Sequence, residues 1–178
     1  GAMPVNKEAI DLGSLVSQSL GEMDARLKAR GLDIIVSNTC AEAKNAEKSG
    51  TDAEASSLSG GPKVIADGQL LWRVIENLLG NVSKYALENS RVYVSIGRKN
   101  DSVLLEVKNI SKDALNISEE ELMERFTRGD ASRNTEGSGL GLAIARDLVR
   151  LMDGKFDITI DGDLFKASVL LEEAGEKK

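Results

Sequence analysis

Leu71-Trp-Arg-Val-Ile-Glu-Asn77-Leu-Leu-Gly-Asn81-Val-Ser-Lys84-Tyr85 is the stretch on which the fold turns. At about 100° per residue, Leu71, Ile75, Leu78 and Val82 share one face, so they form the buried side of an amphipathic helix. Asn77, Asn81 and Lys84 fall on a narrow neighbouring stripe, with Tyr85 between stripe and core. Two carboxamides one turn apart and an ammonium one turn on make a line of oxygen donors and positive charge. Hard cations such as Mg²⁺ take oxygen ligands and share them with substrate phosphates. A lysine can neutralise phosphate charge, and a tyrosine can pack on a purine. A solvated helix face would carry the same pattern, so the stripe alone leaves both readings open. Trp72 is assigned to packing at the core or its rim.

Reading outward from this helix, Asp67 caps it, and the pattern predicts a helix from about Gly68 to Leu87. Lys63 to Ala66 before it reads as a short strand. Further upstream, Asp11 caps a helix whose apolar positions Leu12, Leu15, Val16, Leu20, Met23 and Leu27 recur at helical spacing, and Gly31 is placed to end it. Leu32 to Val36 reads as a strand. Residues 39–61 are rich in Ala, Ser, Gly and Glu, with almost nothing large and apolar. Such a segment cannot bury enough surface to offset its ordering entropy, which predicts a mobile surface insert, with a partner-binding insert as the alternative. Downstream, Arg91 to Gly97 and Val103 to Lys108 read as strands around an Asn100-Asp101 turn. The irregular stretch 110–138 holds a short helix near Glu119 to Glu124. Gly139 to Met152 is helical and closed by Gly154, and Phe156 to Ile160 with Phe165 to Leu171 form a last hairpin. These elements predict an α/β two-layer sandwich: a mixed, roughly five-stranded sheet with three main helices on one face. Residues 1–10 read as a tag remnant and linker, with Gly1-Ala2-Met3 as a cloning scar, and 11–178 as a single domain.

Thr135-Glu-Gly137-Ser-Gly139-Leu140-Gly141-Leu-Ala-Ile-Ala145 is a glycine run that opens an apolar helix. Glycine admits close approach of an anion to the backbone, and a helix N-terminus offers free N–H groups and a positive dipole end to phosphate. The run does not follow a strand and lacks the Gly-Lys-Ser/Thr ending, so it matches neither a dinucleotide-binding fingerprint nor a P-loop.

Composition narrows the chemistry. The chain of 178 residues has no histidine, one cysteine (Cys40) and a net charge of −6. Histidine-based acid–base catalysis and most catalytic zinc sites are excluded within it. One cysteine makes no internal disulfide. The acidic balance argues against broad nucleic-acid binding and against contact with anionic membranes. No apolar run approaches the ~20 residues of a membrane helix.

Taken in order, the motifs resemble the GHKL ATPase superfamily, and in detail its sensor histidine kinases. Glu76-Asn77-Leu-Leu-Gly-Asn81-Val-Ser-Lys84-Tyr85-Ala86 resembles their N box. Glu124-Arg-Phe126-Thr-Arg128-Gly-Asp130-Ala-Ser-Arg133 resembles their F box, and Glu136 to Ala145 their second glycine box. The resemblance implies that Asn81, with Asn77, holds Mg²⁺, that Lys84 meets phosphate and that Tyr85 meets the adenine of ATP. Gly137, Gly139 and Gly141, with Leu140 among them, would cradle the triphosphate. Phe126, Arg128 and Arg133 would belong to an ATP lid, the arginines contacting the γ-phosphate and Phe126 anchoring the lid. Asn81, Lys84 and Arg128 form the implied catalytic set. The implied activity is transfer of the γ-phosphoryl group of ATP to a histidine on a separate dimerisation hairpin, for relay to a response regulator. The domain would be cytoplasmic, in a parent protein anchored in the bacterial inner membrane.

The family usually carries an Asp-x-Gly-x-Gly box after the second central strand, where the aspartate accepts a hydrogen bond from the adenine amino group. Here Asn109-Ile-Ser111-Lys-Asp113 stands in its place. The Asn109 side-chain oxygen can still accept that bond, as a weaker acceptor, and Ser111 replaces a hinge glycine. Two alternatives share the fold: a nucleotide-poor regulatory scaffold, and a serine kinase of the anti-sigma-factor type.

Overall fold

The computed structural model describes residues 4–39, 58, 61–115, 118–128 and 140–175, the side chains of residues 124–128 and 140 excepted. The elements run β1 (Glu8–Asp11), α1 (Leu12–Ala29), β2 (Asp33–Asn38), β3 (Lys63–Ala66), α2 (Gly68–Tyr85), β4 (Arg91–Lys99), β5 (Ser102–Ile110), α3 (Glu119–Arg128), α4 (Leu140–Leu151), β6 (Lys155–Asp161) and β7 (Leu164–Glu172). Five strands form one mixed sheet in the order β2-β4-β5-β7-β6, with β2 parallel to β4 and the other pairs antiparallel.

Alternation along the central strands buries one face of this sheet. Val92, Val94 and Ile96 of β4, Val103, Leu105 and Val107 of β5, and Phe165, Ala167, Val169 and Leu171 of β7 point into the core. The residues between them, such as Glu106, Lys108, Lys166 and Ser168, lie on the other face. Helices cover the buried face. Leu71, Val74, Ile75, Leu78 and Val82 of α2 and Leu142, Ala145, Leu148 and Val149 of α4 complete a single core with Leu12, Val16 and Leu27 of α1. The helical spacing read from the sequence therefore selects the residues that pack.

Caps act where the sequence places them. The Asp11 carboxylate accepts from the Ser14 N–H at 3.1 Å. Asp67 accepts from the Gln69 and Leu70 N–H groups at 3.0 and 3.2 Å. Gly31, at φ +66°, closes α1.

Four details differ from the sequence reading. Glu8–Asp11, assigned mostly to a linker, pairs antiparallel with β3 as a separate two-stranded ladder. α2 ends at Tyr85, because Ala86 turns extended and bridges Ser111 while the Leu87 N–H donates to the Ile110 carbonyl at 2.7 Å. α4 leaves its last turn through Asp153 at φ +60°, not through a glycine. Gly154 serves close packing instead, since a Cβ there would lie 2.7 Å from the Leu170 carbonyl oxygen. Finally, Leu58, inside the segment read as a surface insert, is fully buried against the core. The rest of that segment, Cys40 included, lies outside the described residues apart from its flanks.

Candidate functional site

The polar stripe of α2 is present as read: Asn77, Asn81, Lys84 and Tyr85 are each half-buried, beside a fully packed apolar face. The stripe does not face open solvent alone. Gly141, in the first turn of α4, sits against Asn77, and a Cβ built there would lie 3.5 Å from Asn77 Oδ1. That is ordinary van der Waals contact, so no clash within the chain demands glycine at 141. Its small size leaves room beside the Asn77 carboxamide, and α4 presents its N-terminal turn there.

At the other end of the stripe, α2 is stitched to the end of β5. Ala86 bridges Ser111, and the Lys112 N–H donates to the Tyr85 carbonyl at 2.9 Å. Lys112 also holds its ammonium 6.0 Å from the centroid of the Tyr85 ring, within cation–π range. Ser111 is buried. Its N–H donates to the Asp163 carbonyl at 2.7 Å, and its hydroxyl accepts from the Asp113 N–H at 3.3 Å, so it fixes the turn that leaves the sheet.

Asn109 lies two residues earlier, on the inner face of the sheet, in register between Val92 and Phe165. It is only 2% exposed. Its Oδ1 has no hydrogen-bond partner among the described residues. A buried acceptor left unpaired costs about 1–3 kcal/mol, which a ligand donor would offset.

The end of α2 is held from behind by α1. Arg30 donates from Nη2 to the Ala86 carbonyl at 2.6 Å and from Nη1 to the Ser83 carbonyl, and Arg26 reaches the Ser83 hydroxyl at 3.3 Å. The last carbonyls of a helix have no intrahelical partner, and cations at this negative end are favourable. Trp72, read as packing, is half-buried and donates its indole N–H to Glu76 at 2.7 Å, at the rim.

Of the other residues singled out in the sequence, Phe126 and Arg128 lie on α3, where their side chains are outside the described residues. Arg133, Gly137 and Gly139 lie outside them altogether, and Leu140 is the first residue of α4. Sequence reasoning missed Lys112, Arg26 and Arg30. No motif marks them, because their roles depend on a bridge and a helix pairing that join distant parts of the chain.

Two carboxamide oxygens one turn apart fit a hard cation that draws its remaining ligands from phosphate and water. No group of three or more His, Cys, Asp or Glu that could hold a metal occurs among the described residues.

Residues 66–174 match the family described as "Histidine kinase-, DNA gyrase B-, and HSP90-like ATPase". The chain is similar to the "Probable sensor protein PcoS" of Escherichia coli, at 34% identity over 113 residues, covering 61% of this chain and 24% of that protein. It is 30% identical over 150 residues to the "Sensor protein VanS" of Enterococcus faecium, covering 82% of this chain and 33% of VanS. The chain thus spans a third or less of the length of these two relatives. Among solved structures, the nucleotide-free catalytic domain of the histidine kinase ThkA superposes with a TM-score of 0.70 at 17% identity, covering 94% of this chain and 96% of that one, a likeness of fold. By its matched residues, this chain belongs to the histidine kinase-, DNA gyrase B- and HSP90-like ATPase family, with sensor histidine kinases among its relatives.

Proposed function

We propose that this chain is the ATP-binding catalytic domain of a two-component sensor histidine kinase, and that it presents the γ-phosphoryl group of ATP to a histidine on a separate dimerisation hairpin. The observation that carries this reading is the shared location of three features. The Asn77–Asn81–Lys84 stripe lies along α2, the N-terminal turn of α4 packs against Asn77, and Asn109, whose acceptor has no partner among the described residues, lies two residues before Ser111, which bridges Ala86 at the other end.

In this reading Asn109 receives the purine and Tyr85, backed by Lys112, packs on it. Lys84 neutralises phosphate charge. The turn at Gly141, with Gly137 and Gly139 before it, offers backbone N–H groups to the triphosphate. Arg128, at the end of α3, and Arg133, in the segment after it, supply further positive charge, and Phe126 anchors that segment. Asn77 and Asn81 would hold Mg²⁺, which when bound screens the phosphate charge and fixes the triphosphate's conformation. The chain's own work is positioning and electrostatic stabilisation, as in other phosphoryl transfers. With no histidine of its own, the chain needs the hairpin as acceptor and a response regulator as the next phosphate recipient. No described helix is long and apolar enough to cross a membrane. The sensor-kinase reading places any membrane anchor in another part of the parent protein and this domain in the cytoplasm.

Calorimetric titration of ATP with and without Mg²⁺, on this chain and on Asn81→Ala, tests the reading. Binding that Mg²⁺ strengthens, and that Asn81→Ala weakens about tenfold or more in the presence of Mg²⁺, is the expected outcome. No binding by the unsubstituted chain would leave a nucleotide-poor scaffold of the same fold.

A further inference from the structure

Among the described residues, the fold buries a carboxamide, Asn109, in the inner face of the sheet, and its chemistry is two-sided. Asn109 sits in the apolar inner row of the sheet between Val92 and Phe165, and no described residue binds its Oδ1. An amide carries an acceptor on one side and donors on the other, and half a turn about χ2 exchanges them. No hydrogen bond to Oδ1 from a described residue holds one orientation against the other.

Purines present complementary edges in two forms. Adenine offers a donor at its 6-amino group beside an acceptor at N1. Hypoxanthine and guanine reverse both, with a 6-oxo acceptor beside an N1–H donor. A carboxylate facing the 6-position accepts from the amino group of the first edge and repels the oxo group of the second. A carboxamide pairs with either edge after a flip.

We propose that Asn109 makes this a site of relaxed base specificity, one that takes 6-oxo purine nucleoside triphosphates as well as ATP. The inference rests on the nucleotide-binding reading above and adds the substrate class. The apolar flanks sharpen it: with Val92 and Phe165 on either side, the strand neighbours offer the base edge no competing polar group, so the amide decides the pairing.

The test compares ATP, ITP and GTP with Mg²⁺ by competition titration on the unsubstituted chain and on Asn109→Asp. ITP is the decisive probe, because it differs from ATP only at the 6-position edge, whereas GTP adds a 2-amino group. On the unsubstituted chain ITP should bind within about tenfold of ATP. In Asn109→Asp the gap should widen to about 100-fold, the scale of one mispaired hydrogen bond to a charged acceptor. ATP binding with ITP weaker by 100-fold or more on the unsubstituted chain would overturn this inference and leave the ATP reading standing. Failure of all three nucleotides would overturn both. The comparison on the unsubstituted chain decides the matter even if Asn109→Asp does not fold.

Discussion

Removing the Arg30 side chain tests whether the first helix, which precedes the family-matched residues 66–174, supports the nucleotide site. The guanidinium ties the ends of two helices: it sits at the end of α1, donates to the Ser83 and Ala86 carbonyls at the end of α2, and lies 3.6 Å from the Glu88 carboxylate. A hydrogen bond from a charged donor is worth about 1.5–3 kcal/mol. Both carbonyls are part-buried, so water can replace some of this in Arg30→Ala, and the freed side-chain entropy no longer has to be overcome. The Glu88 pair contributes little, since that carboxylate is mostly exposed. The net loss should be about 2 kcal/mol. With a urea dependence of about 2 kcal/mol per molar, the unfolding midpoint should fall by about 1 M. Arg30→Lys should recover less than half of this, because one ammonium cannot span two carbonyls in the fixed geometry of a guanidinium. Lys84 and Tyr85 lie in the turn that Arg30 holds, so ATP affinity should weaken several-fold in Arg30→Ala below the unfolding transition. A midpoint shift under about 0.2 M, or full recovery by lysine, would refute the clamp.

Leu58 is fully buried although its surroundings in sequence are polar, and the space for a Cβ at Gly13 is taken by the Leu58 carbonyl oxygen, 1.7 Å away. Leu58→Ala should therefore cost about 2–5 kcal/mol in a denaturation curve, whereas a surface position would change by less than about 0.5 kcal/mol. Asp67 has its pKa lowered by hydrogen bonds from the backbone N–H groups of Asn6, Leu70 and Gln69, with desolvation opposing. Its contribution is present above the ordinary carboxylate range and is lost as pH falls through the lowered folded value. Asp67→Asn should therefore flatten the acid limb of a stability–pH profile and leave the sign of the neutral-pH dependence unchanged; an unaltered acid limb would count against the capping role.

Much of the fold was legible because it rests on local chemistry. The caps at Asp11 and Asp67, the apolar stripe of α2 and the turn at Asn100 depend on residues a few positions apart, and the chain folds there as its spacing predicts. The β1–β3 ladder was not legible. Glu8–Asp11 is short, partly polar and indistinguishable from a linker until Lys63–Ala66 is brought beside it. Leu58 failed for the same reason: composition describes the average of a segment, and one buried side chain in a polar run is settled only by the cavity that receives it.

The candidate site divides along the same line. The sequence by itself determined the polar stripe on α2, because helical periodicity alone puts Asn77, Asn81 and Lys84 on one side. It also determined that no histidine in this chain can accept phosphate. Only the tertiary structure decided what meets that stripe. Packing of α4 on α2 brings Gly141 to Asn77, pairing at Ala86 and Ser111 brings Lys112 to Tyr85, and sheet register buries Asn109, whose oxygen has no partner among the described residues. Each of these contacts joins segments more than 20 residues apart in the chain or rests on strand register, so each follows from core burial and inter-strand hydrogen bonding, which no local pattern encodes.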